Sequence, residues 1–356
     1  MPHNTDAPQN APSAAPAEPA RSRLWPRLLL IVVVALAVGV GVAYLANNDE
    51  TRRAGVGPSL PSPSEVSEPD GSEQPLEAVA WATRDQILQP RDDFGTVTMD
   101  ERIWIFGGMT GERGNKLNST EIYDPVDDNW DLGPAMPTAR SSLTAVTLDG
   151  VVYTMGGSTL AEPYLTVNEA LDSATGTWET LSPMPTGRYE HGAVVLDGQV
   201  WVIGGNTTNG WTDAVDIFDP GTGQWSTGPS LAVPRGSLRT VVHEGLIYAI
   251  GGLNADGISA EVEIYDPAVG EWESGPSLPE PILNFGLASY DGDVHAVYHE
   301  FHFTLSPGDE EWRAEGSPPI IRHGMGLIEL DGLLYAIGGC TEDPLRDVPT
   351  VQAWQA

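Results

Sequence analysis

From residue 78 onward, short apolar runs alternate with polar turn pairs in a fixed order. Runs such as Ile103-Trp104-Ile105-Phe106 are β-branched and aromatic, and five of them stop at a glycine pair: Gly107-Gly108, Gly156-Gly157, Gly204-Gly205, Gly251-Gly252 and Gly338-Gly339. Each reads as a strand. Before the runs stand Asp149-Gly150, Asp197-Gly198, Glu244-Gly245, Asp291-Gly292 and Asp331-Gly332, with Asp100-Glu101 in the first copy. Such pairs supply the positive φ of a two-residue hairpin turn. Tyr123, Leu171, Phe218, Tyr265 and Leu305 follow, several of them before Asp-Pro, and each lies seven residues ahead of a tryptophan. Trp81, Trp130, Trp178, Trp225, Trp272 and Trp312 recur every 40–49 residues. Ten residues after each comes Arg91, Arg140, Arg188, Arg235, Ile282 or Arg322. A period of this length marks stacked supersecondary units, here with four strands, a to d, in each.

The order Gly-Gly, then Tyr-Asp-Pro, then Trp, then Pro-x-x-Arg resembles the kelch repeat over roughly residues 78–356. The resemblance implies an all-β protein, a β-propeller with one four-stranded sheet per repeat. Val351-Gln352-Ala353-Trp354 aligns with Val262-Glu263-Ile264-Tyr265, so the chain stops at strand c of its last repeat. Glu77 to Trp81 reads as a strand d with no partners before it. It is expected to complete the last blade and close a ring of six.

Residues 1–27 read as a disordered tail, 28–46 as a transmembrane helix, 47–77 as a Pro/Ser/Glu-rich stalk and 78–356 as the propeller. Leu28 to Ala46 is an uncharged apolar run of spanning length. Arg21, Arg23 and Arg27 precede it and Arg52 and Arg53 follow, which favours a cytoplasmic N-terminus. The expected location is therefore the cell membrane, single-pass, with the propeller extracytoplasmic. Residues 78–356 hold 12 basic and 41 acidic residues, a net charge of −29. That field repels nucleic acid. Cys340 is the single cysteine, so no intrachain disulfide is possible.

In such a meander the b–c and d–a connections share one face of the disc, while the other face carries stereotyped turns. The b–c loops differ from blade to blade, and variable loops on a rigid scaffold are where binding concentrates. Arg91, Arg140, Arg188, Arg235 and Arg322 open strand a at this face. They read either as architectural residues or as a ring around the channel that takes a carboxylate. Glu190, His191, Asn284 and His323 stand beside them, with Asp92, Asp93 and Tyr189; Asn206, Trp211 and Asn254 lie further out. Blade 5 departs most: it has Ile282 for arginine, Tyr298-His299 for the glycine pair, and a b–c connection about seven residues shorter. His295 and His299 would lie about 13 Å apart along one strand, too far to share an ion, although a site joining His299 or His302 to His323 stays open. No metal or cofactor is expected.

The reading that follows is a membrane-tethered module that binds a protein or glycan through its loop face. The alternative is a sugar-acting enzyme: the repeat architecture is similar to that of bacterial sialic acid mutarotases, a resemblance that implies Arg140, Arg188, Arg235 and Glu190 handling an acidic sugar. Similarity to galactose-oxidase-like copper enzymes is weaker, since Cys340 has no identifiable partner in the sequence.

Overall fold

The computed structural model describes residues 81–111, 113–342 and 345–355. They form six four-stranded antiparallel sheets arranged as blades. Strands a to d are Gly95–Met99, Arg102–Phe106, Thr120–Asp124 and Asn129–Gly133 in blade 1, and Thr144–Leu148, Val151–Met155, Asn168–Asp172 and Thr177–Thr180 in blade 2. Blade 3 has Gly192–Leu196, Gln199–Ile203, Val215–Asp219 and Gln224–Thr227; blade 4 has Arg239–His243, Leu246–Ile250, Val262–Asp266 and Glu271–Ser274. Blade 5 has Gly286–Tyr290, Asp293–Tyr298, Phe301–Leu305 and Arg313–Ala314. Blade 6 takes Gly326–Leu330, Leu333–Ile337 and Val351–Trp354 from the C-terminal end, and Ala82–Arg84 as its strand d.

The N-terminal strand thus closes the ring, Ala82 opposite Ala353 and Arg84 opposite Val351. Among the described residues it runs from Ala82, one residue after Trp81, while the expected start at Glu77 lies outside them; Trp81 packs its ring 6.3 Å from that of Trp354. The expected tail, transmembrane helix and stalk lie outside the described residues. Among the described residues no helix is long and apolar enough to cross a membrane.

Strand b is buried on both faces, which is why its sequence is a continuous apolar run rather than an alternating one. The apolar cores lie between blades. Val194, Trp201 and Val215 of blade 3, for example, meet Leu238, Ile247 and Tyr265 of blade 4. Six such clusters occupy the six seams. No blade can bury its faces alone, so stability is a property of the closed ring.

The repeated signals secure the seams. Indole N–H groups of Trp130, Trp178, Trp225, Trp272 and Trp312 each donate to a backbone carbonyl of the preceding blade's exit segment, at 2.8–3.2 Å. The second glycine of each pair donates to the carbonyl of the next blade's arginine or Ile282, as Gly108 does to Arg140 and Gly252 to Ile282. At Gly107 a Cβ would sit 2.6 Å from the Arg140 carbonyl oxygen, so both a positive φ and close approach demand glycine. In blade 5, His299 takes the second position at φ 51° and still donates to the Arg322 carbonyl.

The five arginines lie inside the blades, not around the channel. All are at most 1% exposed. Arg91 is paired with Glu121, Arg140 with Glu169, Arg188 with Asp216, and Arg235 with Glu263 and Glu261. Arg322 has a neutral partner, Gln352, and three backbone carbonyls, those of Ala336, Gly338 and Thr350; burial alone pushes its guanidinium down to about 10. Apart from Glu261, each acid or amide sits two residues before the strand c aromatic or leucine. In blade 5 that position is Phe303, and Ile282 and Phe303 share one apolar cluster. Pair and replacement switch together.

Removing one member of a buried ion pair leaves an uncompensated charge. Glu169→Leu is expected to cost about 3–5 kcal/mol in denaturant titration. The double change Arg140→Ile with Glu169→Phe, which copies blade 5, should cost far less. Equal losses would contradict an architectural role.

Candidate functional site

The third residue of each Arg-x-x triplet lies at the channel mouth. These six, Asp93, Ser142, Glu190, Ser237, Asn284 and Gly324, all have φ between 49° and 63°. Each donates its backbone N–H to the carbonyl of its counterpart in the preceding blade: Ser142 to Asp93, Glu190 to Ser142, Ser237 to Glu190, Asn284 to Ser237, Gly324 to Asn284 and Asp93 to Gly324, at 2.6–3.1 Å. The six bonds close on themselves. This ring fixes the backbone and leaves the side chains to differ, so it presents varied polar groups on a rigid rim.

Inside the rim is a cavity of about 140 Å³ lined by Asp93, Ser142, Glu190, His191, Arg239 and Asn284 among others. That is close to the size of a cavity that holds one benzene. Arg239 is the cation here. Its Nε donates to the Phe285 carbonyl at 3.0 Å and its Nη1 to the Leu238 carbonyl at 3.3 Å. Burial lowers its pKa, opposed by the charges of Asp93 and Glu190. The Glu190 carboxyl is raised, first by burial and then by Asp93, although it accepts hydrogen bonds from Ser237 (2.7 Å) and Asn284.

Of the expected site residues, Glu190, His191 and Asn284 therefore meet in the channel. Arg91, Arg140, Arg188, Arg235 and Arg322 do not, because their guanidinium groups are held by strand c side chains and by backbone carbonyls of strand b and the connections. His299 and His323 face each other at the blade 5–6 seam, Nε2 to Nδ1 at 3.4 Å. His295 meets His302 across the strand pair at 3.0 Å, beside Trp354. Arg239 was not foreseen, yet its position carried a signal. In the other five repeats the residue four after Arg or Ile282 is Gly95, Thr144, Gly192, Gly286 or Gly326, and an arginine there has only the channel to enter.

Outside the rim, four b–c connections rise as β-hairpins: Met109–Thr110 with Asn115–Lys116, Asn206–Thr207 with Gly210–Trp211, Leu253–Asn254 with Gly257–Ile258, and Cys340–Glu342 with Leu345–Asp347. Blade 5 has only the two-residue turn His299-Glu300, so the rim is notched there. Large apolar side chains project at this face, with Leu88 52%, Leu160 76%, Ile258 42% and Ile321 53% exposed. On the opposite face, two-residue turns join a to b and short turns join c to d.

A closed disc of six blades joined in this way is a β-propeller. The KLHDC2/KLHL20/DRC7 Kelch-repeats domain matches residues 95–281, just over half of the chain, and the chain belongs to the kelch-repeat family. It is similar to β-scruin of Limulus polyphemus, 32% identical over 84 residues (24% of this chain, 9% of that one). It is also similar to the cowpox virus (strain Brighton Red) kelch repeat and BTB domain-containing protein 2, 37% over 82 residues (23% and 14%), and to mouse kelch-like protein 40, 33% over 82 residues (23% and 13%). The matched segments span less than a sixth of each of these relatives. The solved structure of YjhT superposes with a TM-score of 0.68 at 16% identity, covering 77% of this chain and 97% of that one, which shows the shared fold.

His191 gives the channel a pH signature. Burial, aided by the Arg188, Arg239 and Arg140 charges, pushes its imidazole down to about 3. The unfolded chain binds that proton near pH 6.5, so stability is full above 6.5 and falls as pH drops through the window toward 3. At pH 5 this amounts to about 2 kcal/mol. His191→Gln is expected to remove that share of the loss between pH 7 and 5 in denaturant titrations, and an unchanged slope would contradict it.

Proposed function

We propose that this kelch propeller is a membrane-tethered, extracytoplasmic binding module whose b–c/d–a face holds a protein partner. Kelch propellers are protein-binding modules. The observation that carries the reading to this face is its asymmetry: four ordered hairpins and four exposed large apolar side chains surround a rigid polar rim, against short turns behind. Exposed large apolar side chains gathered on one face are the residues a protein partner would bury as anchors. The acidic domain favours a partner with a basic surface, and the association should weaken as salt rises.

The tether rests on the apolar run Leu28 to Ala46. A reporter fused to the C-terminus, active outside the cytoplasm and silent within it, is the expected outcome; the reverse would overturn the orientation.

Glycan binding is a second occupant of the same face, supported by the partly buried rings of Tyr164 and Tyr189, 5.6 Å apart, and by Trp211. The sugar-acting enzyme loses the arginines it relied on and keeps Arg239 beside Asp93 and Glu190.

Photo-crosslinking residues placed at Leu160 and Ile258 in the full chain, in its native membrane, test the proposal against the same probe at Val126 and Val269 on the opposite face. Adducts with one protein from the first pair alone are expected, lost with added salt. Adducts from neither pair, or from both equally, would sink it.

A further inference from the structure

Asp92, Cys340 and Asp347 each bring one ligand atom to within 4.8 Å of the others. They approach from both sides of the seam between blade 6 and blade 1. Asp92 lies in the segment that enters blade 1, while Cys340 and Asp347 are facing residues of the blade 6 hairpin. Asp92 is 6% exposed, and its Oδ1 is buried without a hydrogen-bond partner. An unsatisfied buried carboxylate oxygen is costly. The groups around it relieve the cost only in part. Asp93 and Asp347 add like charge, and Lys116, the cation acting on it, has its Nζ on Ser141 Oγ at 2.6 Å. Cys340 Sγ touches the Thr341 carbonyl at 3.5 Å, and Asp347 Oδ2 accepts from the Gly111 N–H at 2.6 Å.

We infer that Asp92, Cys340 and Asp347 form a site for a divalent ion of borderline softness, zinc foremost, that joins blade 6 to blade 1. One thiolate with two carboxylates suits zinc, whereas the thiolate disfavours magnesium and calcium and the carboxylates disfavour copper(I). Tetrahedral binding puts such donor atoms about 3.3–3.7 Å apart. Binding would draw the three atoms together from a present spacing of up to 4.8 Å. Three protein donors leave a fourth position to water. An ion bound only by the folded ring stabilises it by mass action and does so between the blade 6 hairpin and the segment that enters blade 1.

The test uses the untagged full chain in detergent, stripped with chelator and titrated with cobalt(II). One equivalent is expected to bind with thiolate-to-metal charge-transfer absorption in the near ultraviolet. Zinc should displace it and raise Tm. Cys340→Ser should abolish the band. Asp347→Asn, at a half-buried position that does not threaten folding, should weaken binding at least about tenfold, since even outer partners of metal ligands are worth that much. No charge-transfer band in the unmodified chain, or a band whose affinity Asp347→Asn leaves unchanged, would overturn the site.

Discussion

Six backbone hydrogen bonds at the channel mouth link every blade to the next in a closed ring, and the rest of the molecule is arranged around them. They require six residues in the left-handed region, where L side chains are held at a cost of about 1–2 kcal/mol each. Asp93, Asn284 and Gly324 are residue types that tolerate it. Ser142, Glu190 and Ser237 are held there by their neighbours. The backbone is invariant around the ring while the side chains change from acid to hydroxyl to amide to none.

The other repeated features serve the same seams at different radii. Glycine pairs let strand b come against the next blade's arginine carbonyl. Buried arginines tie the d–a segment to strands b and c of their own blade. Tryptophans reach back from strand d to the preceding blade's exit. With scaffold duty concentrated in these positions, the b–c hairpins and the channel-facing side chains are free to vary, and that division places recognition on one face of the disc.

The fold was legible because these signals repeat in phase: glycine pairs, acidic–glycine turns and tryptophans give strand count, strand order and the borrowed strand in blade 6. The arginines were ambiguous because a recurring cation suits an ion pair as well as a ligand. The deciding signal was in the sequence but not at the arginines. Glu121, Glu169, Asp216 and Glu263 occupy one strand c position, and blade 5 exchanges both partners at once for Ile282 and Phe303. Arg239 was overlooked because alternation along strand a says which residues face inward, not what an arginine among glycines does. The grouping of Cys340 with Asp92 was invisible, since 248 positions separate them and only ring closure brings them together.

Hydrogen exchange followed residue by residue tests the closed ring most directly. If the six bonds tie blade to blade, the amides of Asp93, Ser142, Glu190, Ser237, Asn284 and Gly324 exchange only through global unfolding, with one common opening free energy despite lying in connections rather than strands. Exchange at any of them as fast as in the exposed c–d turns, under conditions where the strand b amides remain protected, would contradict it.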